Sequence, residues 1–234
     1  MKSGLVFFFF CFFLFAGITV YAQPSGPTGF DANANLTNSS NSMFRTFDNR
    51  YSGVKGQATI FEDFVYGNVN MKNGERAEGQ ELNYDAMTNE LIVRSRLYKR
   101  VLAVRNDLVE SFELINADRD TLYFKRVAEK GFCQVVYEGD VRVYLKYAKE
   151  IARANHGGAY NSNARTYDEF VDANVYLISK SGAALEEMKA SRKGIESKYP
   201  EKKDFIRKYF KDNKPDPKNP VDISRFFTAL EKAV

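Results

Sequence analysis

Between Gln57 and Tyr147 the chain changes polarity at nearly every second residue, in short runs broken by turn-forming residues. Val141, Val143, Leu145 and Tyr147 point one way while Arg142, Tyr144 and Lys146 point the other, the period of a strand with one dry and one wet face. Val65, Gly67, Val69 and Met71 repeat the pattern, as do Leu108, Phe112 and Leu114 with the charged Glu110 interrupting. Turn chemistry separates the runs at Asn73-Gly74, Asp85 to Asn89, Asn106-Asp107, Asn116 to Asp120, Lys130-Gly131 and Glu138-Gly139-Asp140. No helical segment falls between them, so consecutive strands lack the chain needed for a parallel crossover. Residues 46–180 are therefore predicted to form a β-rich domain, mainly an antiparallel β-meander, curled or barrel-like.

After Ser181 the period lengthens to that of a helix. Leu185, Met188 and Ile195 can share one helical face, with Gly194 weakening its end. Phe205, Ile206, Tyr209 and Phe210 form a stripe after Pro200. Ile223, Phe226, Phe227 and Leu230 form another, with Asn219 placed to cap it and Pro220 as its first residue. Lys214-Pro215-Asp216-Pro217 is the turn between the last two. Strands followed by helices give an α+β fold in which about three C-terminal helices, residues 181–234, pack on the sheet. Between the two regimes, Lys149 to Ala173 breaks the rhythm with His156-Gly157-Gly158, Asn161-Ser162-Asn163, Tyr160 and Tyr167, before a further strand near Asn174 to Ser179. A connection of this length is either a functional loop or decoration.

The chain begins with a signal peptide, residues 1–22: Lys2, the apolar run Leu5 to Thr19, and Val20-Tyr21-Ala22 before a predicted cut after Ala22. The run is too short to span a membrane, about 22 Å against the ~30 Å of hydrocarbon, and no later run approaches the required length. Cys11 lies within the run and reads as signal, not as a lipid attachment site. Residues 23–45, rich in Pro, Gly, Ser, Asn and Thr, read as a flexible leader, with acceptor patterns for N-glycosylation at Asn35 and Asn38. The expected location is periplasmic or extracellular. Loss of Cys11 with the signal leaves Cys133, so no intramolecular disulfide can form, and its apolar setting from Phe132 to Tyr137 makes it a buried small hydrophobe.

The chain has 1 histidine, so a Ser-His-Asp or Cys-His site would have to use His156. Gly-x-Ser-x-Gly, P-loop and dinucleotide signatures are absent, and His156 with Cys133 cannot supply the usual zinc sets. Asn116 to Asp120 contains Asp118 and Asp120 without the spacing of a calcium loop and reads as a turn. No metal or cofactor is expected. Carboxylates are numerous enough to leave a hydrolytic pair open. With no tryptophan and 14 tyrosines, a carbohydrate platform would have to be built on tyrosine. The formal charge is +4, and Lys180 to Val234 carries 14 basic and 9 acidic residues, a basic surface that could face anionic lipid headgroups, lipopolysaccharide or an acidic partner, or simply water. Nucleic acid is not an expected partner.

Gly67-Asn68-Val69, Asn73-Gly74, Leu82-Asn83-Tyr84-Asp85, Asn89-Glu90-Leu91, the strand Val101 to Arg105 and Phe112-Glu113-Leu114, followed by the tail Lys202 to Leu230, make up a longer pattern. It resembles a family of exported proteins of Gram-negative bacteria that carries no assigned activity. The resemblance implies an envelope or secreted setting and brings no catalytic residues. The expected function is a non-enzymatic binding or scaffolding role, with an unknown envelope component, a lipid or a glycan as partner. Such a module would use the concave side of the curled sheet or the Lys149 to Ala173 loop, and would show an apolar pocket or a cluster of Tyr160 and Tyr167 with polar groups. The alternative, a hydrolase using His156 or a carboxylate pair, requires those groups to meet in a cleft with displaced pKa values.

Overall fold

The computed structural model describes residues 43–47, 51, 53–96, 99–154 and 166–233. The expected signal peptide, the expected leader up to residue 42, Asn35, Asn38, His156 and Tyr160 lie outside the described residues.

The strands of the main sheet are β1 (Phe44–Thr46), β2 (Val65–Met71), β3 (Arg76–Asp85), β4 (Glu90–Ser95), β5 (Arg100–Val104), β6 (Val109–Ile115), β7 (Thr121–Arg126), β8 (Phe132–Glu138) and β9 (Val141–Lys146). After a separate ribbon of β10 (Lys149–Ala152) and β11 (Glu169–Asp172), the main sheet resumes with β12 (Val175–Lys180) and β13 (Glu186–Met188). Among the described residues it is an open 11-stranded sheet in the order β1-β5-β4-β3-β2-β6-β7-β8-β9-β12-β13. Its pairings are antiparallel. Both edges are strands of 3 residues, too short to template pairing with another chain. The strand edge begins inside the stretch read as leader, because Met43 and Phe44 are already buried in the core.

Chain length forces the first half of this sheet to roll. Only Arg105 to Leu108 join β5 to β6, yet β4, β3 and β2 stand between those strands in the sheet. Laid flat, four strand spacings would cover about 19 Å, while five residue steps reach at most about 18 Å when fully extended. The linking residues also spend three positions, Asn106–Leu108, in a tight helical turn. The sheet therefore curls until β5 and β6 approach each other, and its concave side closes on Tyr84, Phe112, Phe124 and Phe132. Phe112 and Phe124 stack at 4.6 Å, Tyr84 lies 5.8 and 5.7 Å from them, and Phe132 meets Phe112 edge-on at 5.2 Å. Each such ring, fully buried, contributes about 1.5–3 kcal/mol relative to exposure. Close approach of β2 and β6 depends on Gly67, where a Cβ would sit 2.0 Å from the carbonyl oxygen of Glu113.

In the second half the same face is covered from outside. Val143 and Leu145 of β9, Tyr176 and Ile178 of β12 and Met188 of β13 meet α1 (Arg192–Lys198), α2 (Lys203–Asn213) and α3 (Pro220–Lys232) through Ile195, Ile206, Ile223, Phe226, Phe227 and Leu230. α3 begins as its sequence dictates: Asn219 Oδ1 accepts from Val221 N at 2.9 Å and Pro220 occupies the first turn. The expected helix through Leu185, Met188 and Ile195 is corrected. Met188 instead pairs with Tyr176 and completes the sheet face. The helix starts only after Ser191 caps it by accepting from Gly194 N at 3.0 Å. Gly194 is required there, since a Cβ would lie 2.2 Å from the carbonyl oxygen of Lys189.

Candidate functional site

Of the two expected locations for a site, the concave side of the sheet is occupied at its centre by the buried rings of Tyr84, Phe112, Phe124 and Phe132, because a sheet rolled this tightly brings aromatic side chains of β3, β6, β7 and β8 into mutual contact.

The second expected site is more ordered than an irregular loop. Lys149 to Ala152 and Glu169 to Asp172 pair in register as a ribbon, flanking residues outside the described set. Tyr51 and residues 53–56 dock on its root. Lys55 N donates to Asp168 O at 2.8 Å and Phe170 N donates to Lys55 O at 3.0 Å, so Lys55 acts as a one-residue third strand. The Tyr51 ring meets Phe170 edge-on at 5.3 Å. The Lys55 ammonium sits 3.4 Å from the centre of the Tyr167 ring, an attraction of about 0.5–1 kcal/mol at an exposed position. Asp168 accepts from Arg153 Nη1 at 2.7 Å and from Ala154 N at 2.7 Å. Together Tyr51, Val54, Ile151, Arg153, Tyr167 and Asp168 line an open recess of ≈ 490 Å³. Tyr167, expected from sequence, is in this set. Tyr51, Lys55, Arg153 and Asp168 were not foreseen, because the contacts of Tyr51 and Lys55 depend on a docking across more than a hundred residues of chain, and the Arg153–Asp168 pair on the register of the ribbon, neither of which leaves a periodic trace.

A second recess of ≈ 330 Å³ lies at the seam where the β3–β4 turn reaches β9 and β10, fixed by Lys149 N donating to Ala86 O at 3.3 Å. Lys130, Lys146 and Lys149 line it over an apolar floor of Val175 and Leu177. Lys149 is tied to Asp172 at 2.8 Å, Lys130 stands 3.8 Å from Glu187, and Lys146 has no ion-pair partner among the described residues. Cys133 is buried nearby with Tyr144 and Leu177, and burial pushes its thiol up to about 11 although Lys146 and Lys130 pull the other way. It is a core residue with little thiolate at neutral pH, as its apolar surroundings in sequence implied.

Among the described residues no group of three or more His, Cys, Asp or Glu is placed to hold a metal ion. Among the described residues the carboxylates that are displaced move down: Asp107 by the hydrogen bond from Arg105, Glu186 by Lys198, and Glu231 by Tyr137. A general acid needs the opposite displacement. Cations of the basic tail are partly tied within the fold, Arg192 and Arg207 converging on the buried Glu196 at 3.3 and 3.5 Å. No helix among the described residues is long and apolar enough to cross a membrane.

Comparison with protein-family models, with curated proteins and with solved structures gives no match to this chain.

Proposed function

We propose that the chain is an exported, non-enzymatic protein of the cell envelope or the secreted fraction, with a binding or scaffolding role exercised at the recess beside the β10–β11 ribbon. The observation that carries this reading is the arrangement around Tyr167. Its ring is held by Lys55 and backed by the Arg153–Asp168 pair in an open recess, so an aromatic surface, a cation and hydrogen-bonding groups converge before any ligand arrives. Export rests on the signal sequence, and the resemblance to exported proteins of Gram-negative bacteria supplies the setting. The partner is an envelope component, with a lipid or a glycan as the candidate classes.

Native mass spectrometry of the mature protein purified from its own host tests the proposal. The expected result is a co-purifying mass that is lost in the double variant Lys55→Ala, Tyr167→Ala. A bound mass that survives both changes would move the site elsewhere, and a bare chain under gentle conditions would count against a tight partner.

A further inference from the structure

The convex face of the roll, opposite the ring stack, carries an ordered surface that the recess does not use. Register places Tyr66, Asn68 and Asn70 of β2 beside Ile115, Glu113 and Ser111 of β6, and these beside Thr121, Tyr123 and Lys125 of β7. The nine positions alternate with the buried Val69, Phe112, Leu114 and Phe124, so all nine share the opposite face, eight of them at least partly exposed and Ser111 buried. Water-facing side chains on a sheet ordinarily sample several rotamers, but the central ones here are fixed by one another. Asn68 Nδ2 donates to Glu113 Oε2 at 2.8 Å while its Oδ1 accepts from Gly79 N at 3.1 Å. Asn70 Nδ2 donates to Ser111 Oγ at 2.9 Å and its Oδ1 accepts from Arg76 Nη1 at 2.8 Å. Arg76 closes the network through Nη2 to Glu113 Oε2 at 3.2 Å and Nε to Glu78 at 2.9 Å.

Exposed pairs of this kind add little stability. Their effect is to hold amide, carboxylate and guanidinium groups in one pattern, which lowers the entropy lost on binding. Glu113 Oε1 takes part in none of these bonds and remains available to a hydroxyl. Tyr66 and Tyr123, 57% and 37% exposed, are two of the few large apolar side chains left in water among the described residues. They flank the network diagonally, two strands and two residues apart, a separation of about 12 Å. Such a span suits two rings of one extended chain.

Charge selects the occupant. Arg76 is paired with Glu113 and Glu78, Lys125 with Glu138, and Arg94 and Arg96 with Glu81 on the adjoining strand. With its cations compensated the face has no excess charge to attract a phosphate or an anionic headgroup, and an apolar segment would have to desolvate the network. A neutral polyol with flat C–H faces satisfies both parts. We propose that the convex face of β2, β6 and β7 binds an uncharged, extended polysaccharide, with Tyr66 and Tyr123 stacking on two of its sugar rings and the Asn68–Glu113–Arg76–Asn70 network bonding hydroxyls between them.

The test is affinity electrophoresis of the mature full chain through gels containing soluble neutral polysaccharides (β-glucan, xylan, mannan, starch and glycol chitin), with polygalacturonate as an anionic control. Calorimetry follows with hexasaccharides of whichever retards it. At least one neutral polymer should slow migration, and Tyr66→Ala or Tyr123→Ala should each weaken binding roughly five- to tenfold, from the loss of one stacking contact. Tyr66→Phe and Tyr123→Phe should retain it. Tyr167→Ala should leave it unchanged, which separates this surface from the recess. Circular dichroism and melting of each variant confirm folding, and both tyrosines are exposed enough to be replaced without disturbing the core. The proposal is overturned by no retardation in any neutral polymer, by retardation in polygalacturonate alone, or by binding that survives the Tyr66→Ala, Tyr123→Ala double variant. A dimer that dissociates in that double variant would assign the face to a second copy of the chain and overturn it equally.

Discussion

The roll formed by β1 to β7 and the helix-covered half formed by β8, β9, β12 and β13 bury the same face of one sheet by different means. The roll bends until Tyr84, Phe112 and Phe124 meet one another and Phe132 of β8, so its core is filled by the sheet and its flanking loops without any residue of α1 to α3. The second half stays open and receives Phe226, Phe227, Ile223 and Leu230 from α3. The opposite faces diverge as a result. On the roll the outer face of β2, β6 and β7 is largely wet and carries the tyrosine–asparagine surface, although Asn83, Ile92 and Ala103 are buried on β3 to β5, whereas behind the helices Cys133, Tyr144 and Leu177 are buried as well. Exposed polar surface is thus left on the roll and at its joins, where a face remains after the core is complete.

Removing one core ring from each half would show whether they stand or fall together. Phe112→Ala and Phe226→Ala should each cost about 3–5 kcal/mol, since both side chains are fully buried. Hydrogen exchange should then differ: Phe112→Ala should expose amides of β2, β3, β6 and β7, and Phe226→Ala those of α3 and β8. Uniform loss of protection in both variants would make the halves one cooperative unit and break the comparison.

Tyr147 packs against both cores, and its hydroxyl donates to Gln134 Oε1 at 2.8 Å. Burial, helped by the charge of Asp172, pushes its phenol from 10.0 up to about 12. The folded chain therefore holds this proton after the unfolded chain has begun to release it. The resulting stability is complete below about pH 10 and is lost as pH rises toward 12, up to about 2–3 kcal/mol. Urea midpoints followed through that range should fall for the wild type and fall less steeply for Tyr147→Phe. A midpoint that does not respond to alkali would mean that the seam between the halves is wet.

Two glycines sharpen the contrast between a rigid and an adaptable contact. At Gly67 in the roll a Cβ would press on the backbone of Glu113, so Gly67→Ala should cost about 1–3 kcal/mol by forcing β2 and β6 apart. At Gly139 a Cβ would meet the carboxylate of Glu231 at 2.3 Å, the far end of a flexible side chain that can shift at the expense of its bonds from Tyr137 and Val141 N. Gly139→Ala should cost less, under about 1 kcal/mol, and thermal melts of the pair would rank them.

The same division explains what could be read in advance. β2 was legible because it has one dry and one wet face, and Val65 to Met71 alternates as its burial does. Turns such as Asn73-Gly74 announced the meander, with Gly74 at φ +88°. Tyr144 was assigned to the wet side with Arg142 and Lys146, yet it is 5% exposed, since alternation cannot signal a strand that is dry on both faces. Met188 looked helical beside Leu185 and Ile195, because three apolar residues fit either period until a partner strand chooses between them. Of the recess, Tyr167 was legible as an aromatic in an irregular stretch. Lys55 and Asp168 were not, since nothing local marks a lysine that docks on a ribbon more than a hundred residues away.

The smallest expected effect tests how independently the helical cover is built. Asn219 closes the start of α3 by accepting from Val221 N, with Pro220 already fixed in helical geometry, so this boundary is set by local chemistry alone. Asn219→Ala should cost about 1 kcal/mol and Asn219→Ser much less, because serine offers an oxygen to the same donor. If α3 forms only when the sheet presents Val143, Leu145 and Tyr176, the loss should appear in global unfolding. A helix that frays ahead of the sheet would instead show the change first in exchange of the α3 amides, at denaturant concentrations where β2, β3 and β6 are still protected. The first pattern would join the cover to the roll as one cooperative structure, and the second would leave it a separable layer over a sheet that keeps its own core.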